Sequence, residues 1–394
     1  METHQSGRAG WSAERGALYS PNPPFRNRCP TAPPETRPVP RIYLDHAATT
    51  PMTATARTAM LAALADWANP SSPHAEGRAA KAALEGARRV VADAYGWRHE
   101  TLFTSGASES LAIALGRSVA AAVAVSAVEH DAVLRAAPAA TVLPVGADGL
   151  VDQAGLAGWL AAAPDRPLVA VQWCNSETGV RQPIAAIATT VHAGGGLLLV
   201  DAAQMPAGTS LADHADFIAL SAHKRGGPPG IGALLVRDLA TLMPTGGQER
   251  GYRPGTENLP AVLGYAAAIA EAEDAERLAP LRARLDDAVV RSGGQVVGVG
   301  APRHPAIGSY RLPGTASAAQ LIRLDLGGFA VSAGSACASG SMKPSHVLAA
   351  MGWDEAAGRE VIRVSFGRTT TGGEVDAFIA AWRDVARATR RLVA

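Results

Sequence analysis

Leu197–Leu198–Leu199–Val200–Asp201, followed by Phe217–Ile218–Ala219–Leu220–Ser221–Ala222–His223–Lys224, decides the fold. Each is a short apolar run that stops at a polar residue. A run without alternation reads as a strand buried on both faces, as in a parallel sheet. In open α/β sheets, ligands sit at the carboxyl ends of the strands. Asp201 and Lys224 therefore stand where chemistry is usually done. A buried acid beside a lysine suits pyridoxal phosphate, with the lysine in Schiff-base linkage and the acid on the pyridinium nitrogen. Taken alone, the pair also fits an ordinary strand-end Asp and a solvated Lys.

The flanking sequence repeats the pattern. Apolar runs at 101–104, 121–126, 168–173, 196–200, 217–220 and 231–236 alternate with helical stretches, the signature of a parallel sheet wrapped by helices. Upstream, Ile42–Tyr43–Leu44 reads as a strand, and the Asn69–His74 turn caps a helix over 77–95. Downstream, a helix rich in Ala and Glu is expected over about 259–292. Shorter strands at 295–299, 309–312 and 361–366 and a final helix from about 373 then form a smaller α+β domain. The expected division is 1–39, 40–262 and 263–394. Residues 1–39 are rich in Pro, Arg, Ser and Gly, lack an apolar signal core, and read as a disordered or loosely packed tail.

The 394 residues, 47% apolar and 18% charged, suffice for two domains. A formal net charge of +1 gives no footprint for nucleic acid or a membrane surface. Cys29, Cys174 and Cys337 have neither disulfide nor metal-ligand spacing, which fits a reducing cytoplasm. No apolar run is long enough to span a bilayer.

Six further stretches carry chemistry. Thr104–Ser105–Gly106–Ala107–Ser108–Glu109–Ser110 follows a strand and opens a helix, where small residues let backbone N–H groups approach a phosphate. Glu129–His130 and Asn175–Ser176–Glu177 follow other strands at the same edge. A lone histidine there is commonly structural; stacked on a cofactor ring, it could move protons. The glycine-rich, charged segment 246–257 offers Arg253 and Thr256 as phosphate donors. Cys337 sits among small polar neighbours with no aliphatic to bury it, which suits a reactive thiol. Arg363 lies mid-strand and asks for an anionic partner, such as a carboxylate.

Together, Tyr43–Pro51, Asn69–Pro70–Ser71–Ser72–x–His74, Ser105–Glu109, Glu129–His130, Asp201–x–x–Gln204, Ser221–x–His223–Lys224, Arg253–x–Gly255–Thr256 and Gly334–Ser335–Ala336–Cys337 occur in order. From about Arg41 onward the chain resembles the pyridoxal-phosphate-dependent cysteine desulfurases of the class-V aminotransferase superfamily, in the branch serving iron–sulfur-cluster assembly and nitrogen fixation. The resemblance implies an aspartate-aminotransferase-like α/β fold (fold type I), with a mostly parallel central sheet and a smaller α+β domain. It implies a homodimer, L-cysteine as substrate and a sulfur-acceptor protein. Lys224 is then the Schiff-base lysine, Asp201 the partner of the pyridine nitrogen and Gln204 that of the ring hydroxyl. Ser108, Ser221 and His223, with the neighbouring Ala107, bind the phosphate, joined by Thr256 of the other subunit. His130 stacks on the ring, Ser176 lies near the ring hydroxyl, Asn175 and Arg363 meet the substrate, and Cys337 is the nucleophile. Departures from the family pattern are Ser108 for threonine, Ser176 for a second asparagine, Arg225–Gly226 for an apolar–aromatic pair, and Pro229 for lysine. A selenocysteine lyase or another carbon–sulfur lyase is the alternative on the same scaffold. A transaminase and a non-catalytic sulfur-transfer scaffold are further ones.

Overall fold

The computed structural model describes residues 41–66, 68–334 and 344–393. The tail expected over 1–39, and Cys337, lie outside the described residues.

In chain order the strands are β1 (Ile42–Tyr43), β2 (Glu100–Thr104), β3 (Val123–Ser126), β4 (Thr141–Leu143), β5 (Leu168–Gln172), β6 (Leu197–Asp201), β7 (Phe217–Ser221), β8 (Gly232–Val236), β9 (Gln295–Val296), β10 (Ile307–Arg311), β11 (Phe329–Ala330), β12 (Ser332–Ala333) and β13 (Val361–Ser365). Seven form the central sheet in the order β2-β8-β7-β6-β5-β3-β4. The pairs from β7 through β6, β5 and β3 to β4 are all parallel. β8 runs antiparallel to both its neighbours, β2 and β7. The parallel reading of the 231–236 run is corrected here: the connection over 222–231 is too short for a crossover, which needs about a dozen residues or more.

The unbroken apolar runs are explained by burial on both sides. Ile218 and Leu220 of β7 join one core, with Leu84 and Val91 of the helix Ala75–Ala94 and Tyr265 of the helix Leu259–Ala270. Phe217 and Ala219 face the other way, toward Leu111 and Ala114 of the helix Ala107–Arg117. Period-2 alternation thus feeds two cores at once.

The helix expected over about 259–292 is two helices, Leu259–Ala270 and Ala279–Arg291. The break exposes Glu271 and Glu273 to ion pairs: Glu273 with Arg225 at 2.7 Å, and Glu271 with Arg368 at 3.3 Å. A proline then opens the second helix, where its missing N–H costs nothing.

Four of the remaining strands form an antiparallel sheet, β12-β13-β10-β9. Tyr310 and Ile362 of this sheet pack on Leu285 of the helix Ala279–Arg291 and on Phe378 and Trp382 of the helix Gly372–Val393. β1 pairs in parallel with β11, so Leu44 belongs to this second core. Among the described residues no helix is long and apolar enough to cross a membrane.

Candidate active site

The carboxyl ends of β2, β3, β5, β6 and β7 share one edge of the central sheet, and the chain leaving each carries a candidate residue. They meet around a cavity of about 400 Å³.

At one end lies the turn after β2. Gly106 has φ 149°, a conformation open to glycine, and it caps the helix Ala107–Arg117 without a side-chain acceptor. The first N–H groups of that helix thus meet the cavity with their positive end. Gly232 on β8 makes the approach possible: a Cβ there would lie 2.6 Å from the Gly106 Cα and 2.4 Å from the Leu220 carbonyl oxygen. Ala107, Ser108, Ser221 and His223 line this end. His223 bonds to the Thr49 hydroxyl at 3.1 Å, and burial together with the Lys224 charge pushes its pKa down to about 4. It is therefore a neutral ring at physiological pH.

At the other end are His130, Ser176, Asp201, Gln204 and Lys224. Lys224 Nζ donates to the carbonyls of Ala47 (2.6 Å) and Ala48 (2.9 Å). The 45–50 turn grips the lysine turn in return: Thr50 N–H donates to the His223 carbonyl and the Thr50 hydroxyl to that of Lys224. Gln204 Nε2 donates to the Ala47 carbonyl at 2.9 Å. Asp201 ends β6 and is buried; one carboxylate oxygen accepts the Ala203 N–H at 3.0 Å. Burial raises its pKa, while that N–H and the charges of His130 and Lys224 pull it back. A buried carboxylate so placed is suited to a cationic partner inside the cavity. His130 caps the helix Asp131–Ala136, its Nδ1 accepting the Ala132 N–H at 3.1 Å, which leaves the proton of a neutral ring on Nε2.

Sequence reasoning gave Glu129 no role. Its Oε1 accepts from the Ser126 hydroxyl (2.6 Å) and the Gln172 N–H (2.8 Å), and its Oε2 is buried without a hydrogen-bond partner. Burial, reinforced by the charge of Asp201, pushes its pKa up to about 8. Two neighbouring buried carboxyls resist double ionisation, so Glu129 keeps its proton and Asp201 holds the charge. Its place beside His130 at a strand end was the available signal.

A second cavity, of about 310 Å³, shares His130, Gln172 and Ser176 with the first, and Asn175, Gly334 and Pro344 also line it. The Asn175 side chain holds its own turn: Oδ1 accepts from the N–H groups of Glu177 and Thr178, and Nδ2 donates to the Val128 carbonyl. Arg363 is buried on β13, paired with Asp45 at 2.8 Å and donating to the Ser176 carbonyl at 3.0 Å. Arg363 therefore finds an internal anion, with the Ser332 hydroxyl on the other oxygen of Asp45. Arg253, read as a phosphate donor, instead pairs with Glu109 at 3.0 Å. Thr256 is exposed and does not line the cavity. In the same segment, Glu249 is buried against Arg88 at 2.6 Å, with Glu249 and Arg250 at positive φ.

The description "Aminotransferase class-V" matches residues 42–378. The chain belongs to this family, among its cysteine desulfurases. It is 37% identical over 363 residues to the cysteine desulfurase of Cereibacter sphaeroides, covering 85% of this chain and 93% of the relative. It is also 37% identical to the IscS-like cysteine desulfurase of Mycobacterium tuberculosis, covering 89% of this chain and 98% of that one. The solved NifS-like protein of Rickettsia africae superposes with a TM-score of 0.80 at 30% identity, over 88% of this chain and 99% of its own. The fold is that of the aspartate-aminotransferase-like enzymes, fold type I.

The family is pyridoxal-phosphate-dependent, and the donor set of the first cavity fits that cofactor. The helix N-terminus with Ser108, Ser221 and His223 suits a phosphate. The partly satisfied Asp201 carboxylate suits a pyridinium nitrogen, and Lys224 lines the same end.

Proposed function

We propose that this chain acts on L-cysteine, releasing L-alanine and retaining the sulfur as a persulfide on Cys337. The supporting observation is the single cavity where Lys224, Asp201, Gln204, His130 and the helix Ala107–Arg117 meet. It adjoins a second cavity lined by Gly334 and Pro344, which flank the segment that carries Cys337. Bound in the first cavity, pyridoxal phosphate supplies an electron sink that acidifies the substrate Cα–H.

The residues then divide the work. Lys224 anchors the cofactor aldehyde, and its Nζ, oriented by the Ala47 and Ala48 carbonyls, moves the Cα proton. Asp201 would keep the ring nitrogen protonated, and Gln204 and Ser176 would meet the ring hydroxyl. Ala107, Ser108, Ser221 and His223 would hold the phosphate, His130 handles thiol protons through Nε2, Arg363 binds the substrate carboxylate, and Asn175 lies toward the substrate. The Cys337 thiolate attacks the substrate sulfur: an S–S bond forms and the Cβ–S bond breaks, its electron pair passing to the carbon fragment that becomes alanine.

The reading extends to a cytoplasmic homodimer, with the exposed Thr256 reaching the other subunit's phosphate. It extends also to a sulfur-acceptor protein in iron–sulfur-cluster biogenesis, a cofactor domain over 40–262, a smaller domain over 263–394 and a tail over 1–39. Borohydride fixation tests the anchor. The parent protein should carry reduced cofactor on Lys224, whereas Lys224→Ala should carry none and form no alanine. Alanine formed by that variant at the parent rate would sink the assignment.

A further inference from the structure

Cys337 lies in sequence between Gly334 and Ser345, and these two flanks meet at one side chain. The Ser345 hydroxyl donates to Glu177 Oε2 at 2.6 Å. On the other flank Gly334 passes so close that a Cβ there would lie 2.5 Å from the same oxygen and 3.6 Å from the Ser345 Cβ. Glu177 is buried, and it lines the second cavity together with Gly334, Pro344, His130 and His346. No step of the sulfur transfer uses its carboxyl.

The turn behind that carboxyl is fixed. Glu177 follows β5, its N–H donating to Asn175 Oδ1 at 2.9 Å and its carbonyl accepting the Ser309 hydroxyl at 2.7 Å. Ser309 lies opposite Arg363 in the β10–β13 register, and Arg363 donates to the neighbouring Ser176 carbonyl. The turn is thus tied to the small sheet, and the carboxyl extends from it to the flanks of Cys337. The Ser345 hydroxyl in turn accepts the Leu348 N–H at 3.1 Å, which caps the helix His346–Ala350. His346 Nε2 donates to the Glu129 carbonyl at 2.8 Å, so this flank is anchored beside His130 as well. Burying a carboxyl is costly unless it is hydrogen-bonded, and an apolar side chain would be the cheaper filler if packing were the whole requirement. The acid adds direction, because it meets both flanks at one atom. Fixing the ends of a short segment shrinks the volume its middle explores, which raises the effective concentration of the thiol at the substrate sulfur.

We propose that Glu177 is a positioning residue for sulfur transfer: its carboxyl ties together the two flanks of Cys337 and so holds the thiol within reach of the substrate. This rests on the desulfurase reading. In Glu177→Ala the N–H and carbonyl bonds of the turn persist, so the spectral response to L-cysteine should keep the parent's concentration dependence. Sulfur gained by Cys337 in a single turnover, read by mass spectrometry, should slow about tenfold or more. Glu177→Gln keeps a carbonyl oxygen for the Ser345 hydroxyl and should stay within about threefold of the parent. Ser345→Ala removes the donor instead. It should be slow too, and combining it with Glu177→Ala should be no slower than Glu177→Ala alone. It also carries the test if Glu177→Ala does not fold. Parent-rate transfer in Glu177→Ala, additive losses in the double variant, or a Glu177→Gln as slow as Glu177→Ala would overturn the proposal. So would cysteine binding and transfer falling together, which marks general damage to the turn. A parent that gains no sulfur on Cys337 removes the desulfurase reading itself, and this role with it. A parent that gains it beside an equally fast Glu177→Ala removes the role of Glu177 alone.

Discussion

Glu129→Gln separates a protonated Glu129 from an ionised one. In the parent, Glu129 titrates near 8 in the folded chain, against an ordinary 4.5. Between those values the native state keeps a proton that the unfolded chain has released. Stability therefore falls as pH rises, by about 1.4 kcal/mol per unit. The burden is about 1 kcal/mol at pH 5 and about 3 kcal/mol at pH 7. Glutamine escapes it and retains both bonds of Oε1, to the Ser126 hydroxyl and the Gln172 N–H. Its amide brings one more buried N–H than the protonated acid, at about 1–2 kcal/mol. The variant should thus match the parent at pH 5 and exceed it by about 2 kcal/mol at pH 7. Urea denaturation from pH 5 to 8, followed by far-UV circular dichroism with m-values compared, reads the difference. A gap that does not change with pH, or a variant less stable than the parent at pH 7, would refute the argument. Glu129 would then be an anion, and Asp201 would not hold the site's charge alone.

Glu249→Ala should cost about 3–5 kcal/mol, because it strands the buried Arg88 and the Phe103 N–H that Glu249 accepts at 3.0 Å; the urea midpoint checks it. Gly232→Ala puts a methyl group against the Gly106 backbone, so the phosphate-side turn must shift. Its pyridoxal phosphate affinity should drop with far-UV circular dichroism unchanged, and parent-like affinity would exclude that contact. Arg363→Lys keeps the charge but loses the fork that reaches Asp45 and Ser176. The KM for cysteine should rise about tenfold or more, and an unchanged KM would remove Arg363 from substrate binding.

The central sheet was legible because β6 and β7 feed cores on both faces, which writes unbroken apolar runs ending at Asp201 and Ser221. β4 was missed because it is a short edge strand: Thr141 and Val142 are exposed and only Leu143 is buried. The two-helix break at 271–278 could not be read locally, since Glu271 and Glu273 meet Arg368 and Arg225, which are distant in sequence. The same holds for Arg363, whose partner Asp45 lies 318 positions upstream. Arg225, a departure from the family pattern, finds its reason in Glu273. Motif residues at strand ends were readable one by one. The bonds that occupy Asn175 and Arg253 are set by how the chain turns and packs, not by the motifs themselves.

Sulfur should leave cysteine for Cys337, and mass spectrometry of the protein after incubation with L-cysteine measures that transfer directly. The parent should gain one sulfur atom on the peptide carrying Cys337, removable by a thiol reductant, while alanine accumulates. Cys337→Ser should keep its cofactor absorbance and still respond spectrally to cysteine, yet gain no sulfur and make almost no alanine, because a hydroxyl is a far poorer sulfur acceptor than a thiolate. Alanine produced by Cys337→Ser at the parent rate, with free sulfide released, would contradict the account and make the chain a carbon–sulfur lyase.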